Sequence, residues 1–203
     1  MKYFLLLLLA VTQTRATVCD IASDAKTPCQ AAFSLTRALY ATYNGPLYAL
    51  RRRSDMQTTD VNVASNGLAH VQIQHEFCGT ESEECQVVRI YDQSPNANHL
   101  DIAPGGGAAP FTDSGVYAEK APVLVKNGVE LVGAFFEGGM GYRNIHTKNI
   151  AVGDEPETMY MLTRGDHFNG GCCFDFGYAV RLFLSMIIPS NQQQQQCYLY
   201  TGD

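Results

Sequence analysis

The chain has 203 residues, 46% of them hydrophobic, and carries a formal charge of −6. That length suits one domain with a sizeable core, and the acidic balance weighs against nucleic acid or an anionic membrane surface as partner. A neutral substrate is the better expectation.

At the N-terminus Met1-Lys2 supplies a short basic start, Phe4 to Val11 an apolar run, and Thr14-Arg15-Ala16 a small-residue cleavage pattern. Together they read as a secretory signal peptide over residues 1–16; the run is too short to span a bilayer. Cleavage after Ala16 removes Lys2 and Arg15 and takes the formal charge from −6 to −8. The mature chain is expected outside the cell, where disulfides persist.

Next comes Thr27-Pro28-Cys29-Gln30, a capping box with proline at the first helical position. Ala31, Ala32, Leu35, Ala38, Leu39 and Tyr43 follow at helical spacing, and Asn44-Gly45-Pro46 ends the pattern. This predicts a helix from Pro28 to Tyr43. Beyond it the chain shows short β-branched and aromatic runs between turn residues: Leu47 to Leu50, Gln86 to Tyr91, Val123 to Val125, Val129 to Phe136, and Met159 to Thr163. Lys126-Asn127-Gly128 is the strongest hairpin signal, since Asn-Gly suits a type I′ turn. Pro104 to Pro110 and Glu137 to Gly141 read as glycine-rich loops. The pattern predicts an all-β fold, an antiparallel β-sandwich with one N-terminal helix.

Seven cysteines in a secreted chain read as a disulfide framework with one left over. Cys19 with Cys29 and Cys78 with Cys85 are the local pairs, although spacing alone leaves the connectivity open, and Cys197 is then the odd one. His75-Glu76-Phe77-Cys78 has half the character of a zinc site, but no matching Cys or His pair follows at the needed spacing. Neither metal nor cofactor is expected. Cys172 and Cys173 stand side by side in His167-Phe168-Asn169-Gly170-Gly171-Cys172-Cys173-Phe174-Asp175. Neighbouring Cα atoms lie about 3.8 Å apart, below the usual disulfide range of roughly 4.4–6.8 Å, so a bond between them needs the backbone tolerance that glycines give. Such a bond would present a flat, rigid sulfur plate suited to the face of a small sugar. The alternative is that each cysteine pairs elsewhere or stays a buried thiol.

From Cys19 to Ala179 the chain resembles the N-terminal half of the catalytic domain of secreted α-L-arabinofuranosidases of the B type, glycoside hydrolase family fifty-four. The carrying segments are Cys19-Asp20-Ile21-Ala22 with Thr27-Pro28-Cys29, Thr36-Arg37-Ala38-Leu39-Tyr40, Tyr43-Asn44-Gly45-Pro46-Leu47-Tyr48, Thr58-Thr59-Asp60, Ile90-Tyr91-Asp92-Gln93-Ser94, Asn98-His99-Leu100, Gly141-Tyr142-Arg143-Asn144 and the cysteine-pair segment. The resemblance implies a concanavalin-like or laminin-G-like jelly-roll sandwich. It also implies disulfides Cys19–Cys29, Cys78–Cys85 and Cys172–Cys173, the last packing on the furanose ring as the substrate-binding element. The loop Gly79 to Glu84 looks longer than the family's usual one. The implied chemistry is hydrolysis of terminal non-reducing α-L-arabinofuranosyl groups with retention, on arabinan or arabinoxylan of the plant cell wall, by a monomer.

Retention needs two carboxyl groups roughly 5–5.5 Å apart. In the family both the nucleophilic glutamate and the acid/base aspartate lie downstream of the cysteine pair, in sequence this chain does not match, so no catalytic residue is identified. Asp92, Glu137 and Asp175 are the alternative carboxylates, with Asp92 read as a turn cap and Asp175 as support for the cysteine loop. Arg143 and Asn144 could hydrogen-bond sugar hydroxyls or order their own loop, and Tyr142 and Phe168 could line a pocket or fill a core. The domain is expected over residues 17–179. An atypical tail, 180–203, follows, with the apolar run Val180 to Pro189 and the glutamines Gln192 to Gln196. It reads as a misread exon boundary, a frameshift or a truncated gene, leaving the sandwich incomplete; the alternative is a genuine lineage-specific C-terminus. The literal chain is then an enzyme by family, a non-catalytic arabinose-binding sandwich, or an inactive fragment.

Overall fold

A computed structural model describes residues 16–79, 85–106, 110–120, 128–163, 174–180 and 195–201. Helix α1 (Val18–Asp24) leads into the strands β1 (Pro46–Arg52) and β2 (Thr58–Asn62), followed by helix α2 (Val71–Cys78). Then come β3 (Cys85–Ile90), β4 (Leu100–Ile102), a short 3-10 turn η1 (Ala118–Lys120), β5 (Gly141–Asn144), β6 (Phe174–Val180) and β7 (Gln195–Thr201). The strands form one seven-stranded sheet in the order β2-β1-β3-β4-β5-β7-β6, and every pairing is antiparallel. Among the described residues no helix is long and apolar enough to cross a membrane.

A register shift between Ala49 and Leu50 lets two residues of β3 that are three apart share the sheet's inner face with Tyr48 and Leu50. Tyr48 and Leu50 of β1, Val87 and Ile90 of β3, Leu100 of β4 and Tyr142 of β5 are almost fully buried, together with Val61 and Val116. α2 closes over them with Val71, Gln74 and Cys78. Its last residue is bonded to the first of β3 through Cys78–Cys85, and α1 is bonded to the following segment through Cys19–Cys29, each with Cα atoms 5.5 Å apart. Replacing Cys78 and Cys85 together with serine is expected to lower the unfolding free energy by about 2–3 kcal/mol. Urea denaturation would measure it, and an unchanged midpoint would show that the bridge constrains nothing.

The helix expected from Pro28 to Tyr43 does not form. Its apolar residues Ala32, Leu35 and Ala38 are buried as their spacing requires, but their backbone donors leave the segment: Ala32 N–H goes to Asp92 Oδ1 (2.7 Å), Ala38 N–H to Gly67 O (2.8 Å) and Leu39 N–H to Gln93 Oε1 (2.7 Å). A short helix owes most of its stability to tertiary packing, and here the tertiary bonds hold the chain open. The one N-terminal helix lies upstream instead, where Thr17 N–H donates to Asp20 Oδ2 at 2.8 Å and gives the reciprocal start expected further on.

The expected strands Leu47–Leu50 and Gln86–Tyr91 lie within or largely within β1 and β3. Val129 to Phe136 is not a strand: Thr36 Oγ1 donates to Val132 O at 2.7 Å and Val132 is buried against the core, so side chains hold a backbone that would otherwise pair. Met159 to Thr163 forms no strand and joins no ladder among the described residues. Val123–Val125 and the Lys126-Asn127 turn lie outside the described residues. Three motifs carried by the resemblance, Thr58-Thr59-Asp60, Asn98-His99-Leu100 and Gly141-Tyr142-Arg143-Asn144, enter β2, β4 and β5. From the tail, Gln195–Thr201 is the strand between β5 and β6, in keeping with its aromatic and β-branched composition.

Candidate functional site

The cysteine pair Cys172 and Cys173, like Phe168, lies outside the described residues; β6 begins at the next residue, Phe174. The other candidates resolve into three polar clusters and one core residue. Asp175 is in β6, opposite Tyr200 of β7.

The first cluster is a buried knot at the turn between β3 and β4. Asp92 is 3% exposed. Its Oδ1 accepts from Ala32 N–H (2.7 Å) and Ser94 N–H (2.8 Å), and its Oδ2 from the Ser94 hydroxyl (2.6 Å) and Asn98 N–H (2.8 Å). The turn-cap reading was sound but too local, because one of those donors comes from 60 residues away. Asn98 extends the knot, donating through Nδ2 to Lys148 O (2.9 Å) and accepting Lys148 N–H at Oδ1 (2.7 Å). Asp92 ties the turn to the segment around Ala32.

His99 completes the knot by accepting Asp92 N–H at Nδ1 (3.0 Å), a bond only the neutral imidazole can make at that nitrogen. Burial pushes its pKa below the ordinary 6.5, and Arg89 adds to the effect. The unfolded chain therefore binds this proton first. Stability is expected to fall as pH drops through the window just below 6.5. His99→Asn, whose Oδ1 takes over the acceptor, should flatten that slope; parallel slopes in melts between pH 7 and pH 5 would refute the assignment.

The second cluster lies on the opposite face of the sheet. Cross-strand register puts Asp60, Ala49, Arg89, Asp101 and Arg143 in one row across five strands. Arg89 grips Asp101 with two bonds, 2.6 and 2.9 Å, and the Tyr91 hydroxyl donates to Asp60 Oδ1 at 2.9 Å. Burial, with Asp60 beside it, pushes the Tyr91 hydroxyl up to about 12. Ala49, Asp60, Arg89, Tyr91 and Asp101, with Thr58, Thr59 and Val88, line an open cleft of about 560 Å³. Arg143 donates to Pro104 O, in the loop that follows β4, while Asn144 accepts His146 N–H at 2.7 Å and orders its own loop.

The third cluster joins α2 to η1. His75 Nε2 lies 2.8 Å from Glu130 Oε1, and its Nδ1 lies 4.0 Å from Glu119 Oε2. Burial pushes the Glu119 carboxyl above its ordinary value, against the pull of His75 and Gln74. Sequence spacing gave no sign of this grouping, whose members come from three separate segments. Glu137 ion-pairs with Lys120 at 3.2 Å on the partly exposed rim. Tyr142 is core: fully buried, its hydroxyl accepts Val116 N–H (2.8 Å) and donates to Val87 O (2.7 Å), with the Phe136 ring edge-on at 6.1 Å. Among the described residues no group of three or more His, Cys, Asp or Glu is arranged to hold a metal ion.

The family model for the catalytic domain of alpha-L-arabinofuranosidase B matches residues 18–182. The chain belongs to that family. The matched stretch takes in both members of the adjacent cysteine pair. Among the relatives of this arabinofuranosidase family, the probable alpha-L-arabinofuranosidase B of Aspergillus terreus is 45% identical over 173 residues, covering 83% of this chain and 34% of its own length. The alpha-L-arabinofuranosidase B of Emericella nidulans is 47% identical over 167 residues, covering 79% and 32%. A solved arabinofuranosidase complexed with arabinofuranosyl-alpha-1,2-xylobiose superposes with a TM-score of 0.61 at 42% identity, covering 68% of this chain and 29% of its own. The chain spans about a third of the length of the curated relatives it matches.

Proposed function

We propose that this chain forms the N-terminal part of the catalytic domain of a secreted alpha-L-arabinofuranosidase, hydrolysing terminal non-reducing alpha-L-arabinofuranosyl groups of arabinan and arabinoxylan with retention. The carrying observation is the family match over residues 18–182; the arabinofuranosyl ligand in a 42% identical relative supports the substrate class. In this reading the seven-stranded sheet is one layer of a jelly-roll sandwich. Cys172 and Cys173 bond to each other and form one wall of the arabinose pocket. Residues 1–16 are a signal peptide, the domain proper runs over 17–179, the tail 180–203 departs from the family pattern, and the chain is a monomer.

The two carboxyl groups that retention requires come, in this reading, from polypeptide beyond the matched stretch. The engagement of Asp92 by four donors and of Glu137 by Lys120 supports that assignment. A second reading, a non-catalytic arabinose-binding sandwich or an inactive fragment, is favoured for the literal 203 residues by their spanning about a third of their relatives. Release of 4-nitrophenol from 4-nitrophenyl α-L-arabinofuranoside separates the readings. No turnover is expected from the literal chain, and turnover would show that its own residues supply the carboxylates. A thermal shift with arabinose would then distinguish a binding sandwich from an inactive fragment.

A further inference from the structure

The outer face of the sheet carries a cleft to which the proposed hydrolysis gives no part. Its lining residues all lie on β1 to β4 or directly after β3, at the other end of the sheet order from β6. The cleft exists because one side chain in the row is small: Ala49 leaves a depression between Asp60 on β2 and Arg89 on β3. Beside it β3 carries an extra residue. Ala49 faces Arg89 and Leu50 faces Val87, so Val88 has no partner on β1 and lines the cleft instead. Bulges of this kind are over-represented next to active sites, where they re-aim a side chain. At about 560 Å³ the cleft falls within the range of roughly 300–1,000 Å³ usual for ligand sites.

Its walls are set before any ligand arrives. Two bonds hold Arg89 to Asp101 from β3 to β4, and the Tyr91 hydroxyl reaches over β1 to Asp60. His99 meets the Tyr91 ring edge-on at 5.1 Å and steadies it. A carboxylate oxygen that accepts one such bond keeps a lone pair for a second, so the cleft offers acceptors to a ligand rich in hydroxyl donors. Two carboxylates against one guanidinium leave it net negative and unfavourable to anions. Being open, it admits an internal stretch of polymer as readily as a chain end.

We propose that this cleft is a second carbohydrate site, which holds an unsubstituted stretch of a neutral xylan main chain. The choice of polymer rests on the function proposed above: a terminal arabinofuranosyl group is a side branch, so the main chain that bears it continues past the hydrolytic pocket and is free to be gripped elsewhere. Gripping it raises the effective concentration of side branches near the pocket without any new contact there.

The test titrates the 203-residue chain with xylohexaose, which bears no arabinofuranosyl group, in a calorimeter. Binding is expected, and an excess of free arabinose should not displace it. Ala49→Leu fills the floor and leaves the wall bonds in place; it should weaken binding about tenfold or more, with the thermal midpoint checked for an intact fold. Asp101→Asn, on a side chain that is 55% exposed, is the second variant and should weaken it as well. The proposal is overturned by no binding, by binding indifferent to both variants, by displacement with arabinose, or by equally tight binding of an anionic oligogalacturonate. Xylohexaose held at the cleft by a chain that does not bind arabinose leaves this site standing while the proposed arabinose pocket falls. Arabinose bound without xylohexaose does the reverse.

Discussion

Asp92→Ala is expected to lower the unfolding free energy by about 4 kcal/mol, because four donors are left in a buried site with no acceptor and each such loss costs about 1–3 kcal/mol before relaxation. The donors are Ala32 N–H, Ser94 N–H, the Ser94 hydroxyl and Asn98 N–H. Asp92→Asn keeps the shape but turns one acceptor oxygen into a donor, and about 2–3 kcal/mol is expected. Because Asp92 ties the β3–β4 turn to the segment around Ala32, protease cleavage near residues 30–40 should accelerate in the same variants. Urea unfolding of the purified chain measures the first effect; a loss below about 1 kcal/mol for the alanine variant would mean that the knot is not what holds that segment.

Tyr142→Ala is expected to cost about 4 kcal/mol, within the range for removing a large buried aromatic side chain. Tyr142→Phe should cost about 2 kcal/mol, since it keeps the ring and removes a hydroxyl that relays between two buried backbone groups. Those groups are Val116 N–H and Val87 O. Val87 also donates its N–H to Val116 O at 2.9 Å, so the hydroxyl closes a ring of bonds joining β3 to the loop before η1. If phenylalanine matched wild type in thermal unfolding, the relay would contribute nothing and Tyr142 would act through its ring alone. Neither substitution is expected to alter sugar contact, because the residue is fully buried in the core.

The two strands read most securely, β1 and β3, are those whose inward residues are buried along their own length, so a local pattern reported a local fact. β4 was missed because it is only three residues long, with Asp101 in the middle holding Arg89 across the sheet. β2 was missed because only one of its five residues is buried. Alternation is too weak a signal in such short or half-wet strands. The helix from Pro28 to Tyr43 failed for the opposite reason: its burial pattern was right, while its hydrogen bonds went elsewhere.

At the candidate site the same division holds. Neighbouring residues in the sequence were enough to single out the family-bearing motifs, because each is a short run whose chemistry does not depend on what packs against it. Tertiary structure alone decided what several of those motifs do. Asp92 and Tyr142 became parts of the scaffold, and His75, Glu119 and Glu130 came together from three segments. Periodicity records which side of an element faces the core. It carries no record of the acceptor 60 residues away that claims a backbone donor, and in this chain those distant bonds chose between helix and open loop.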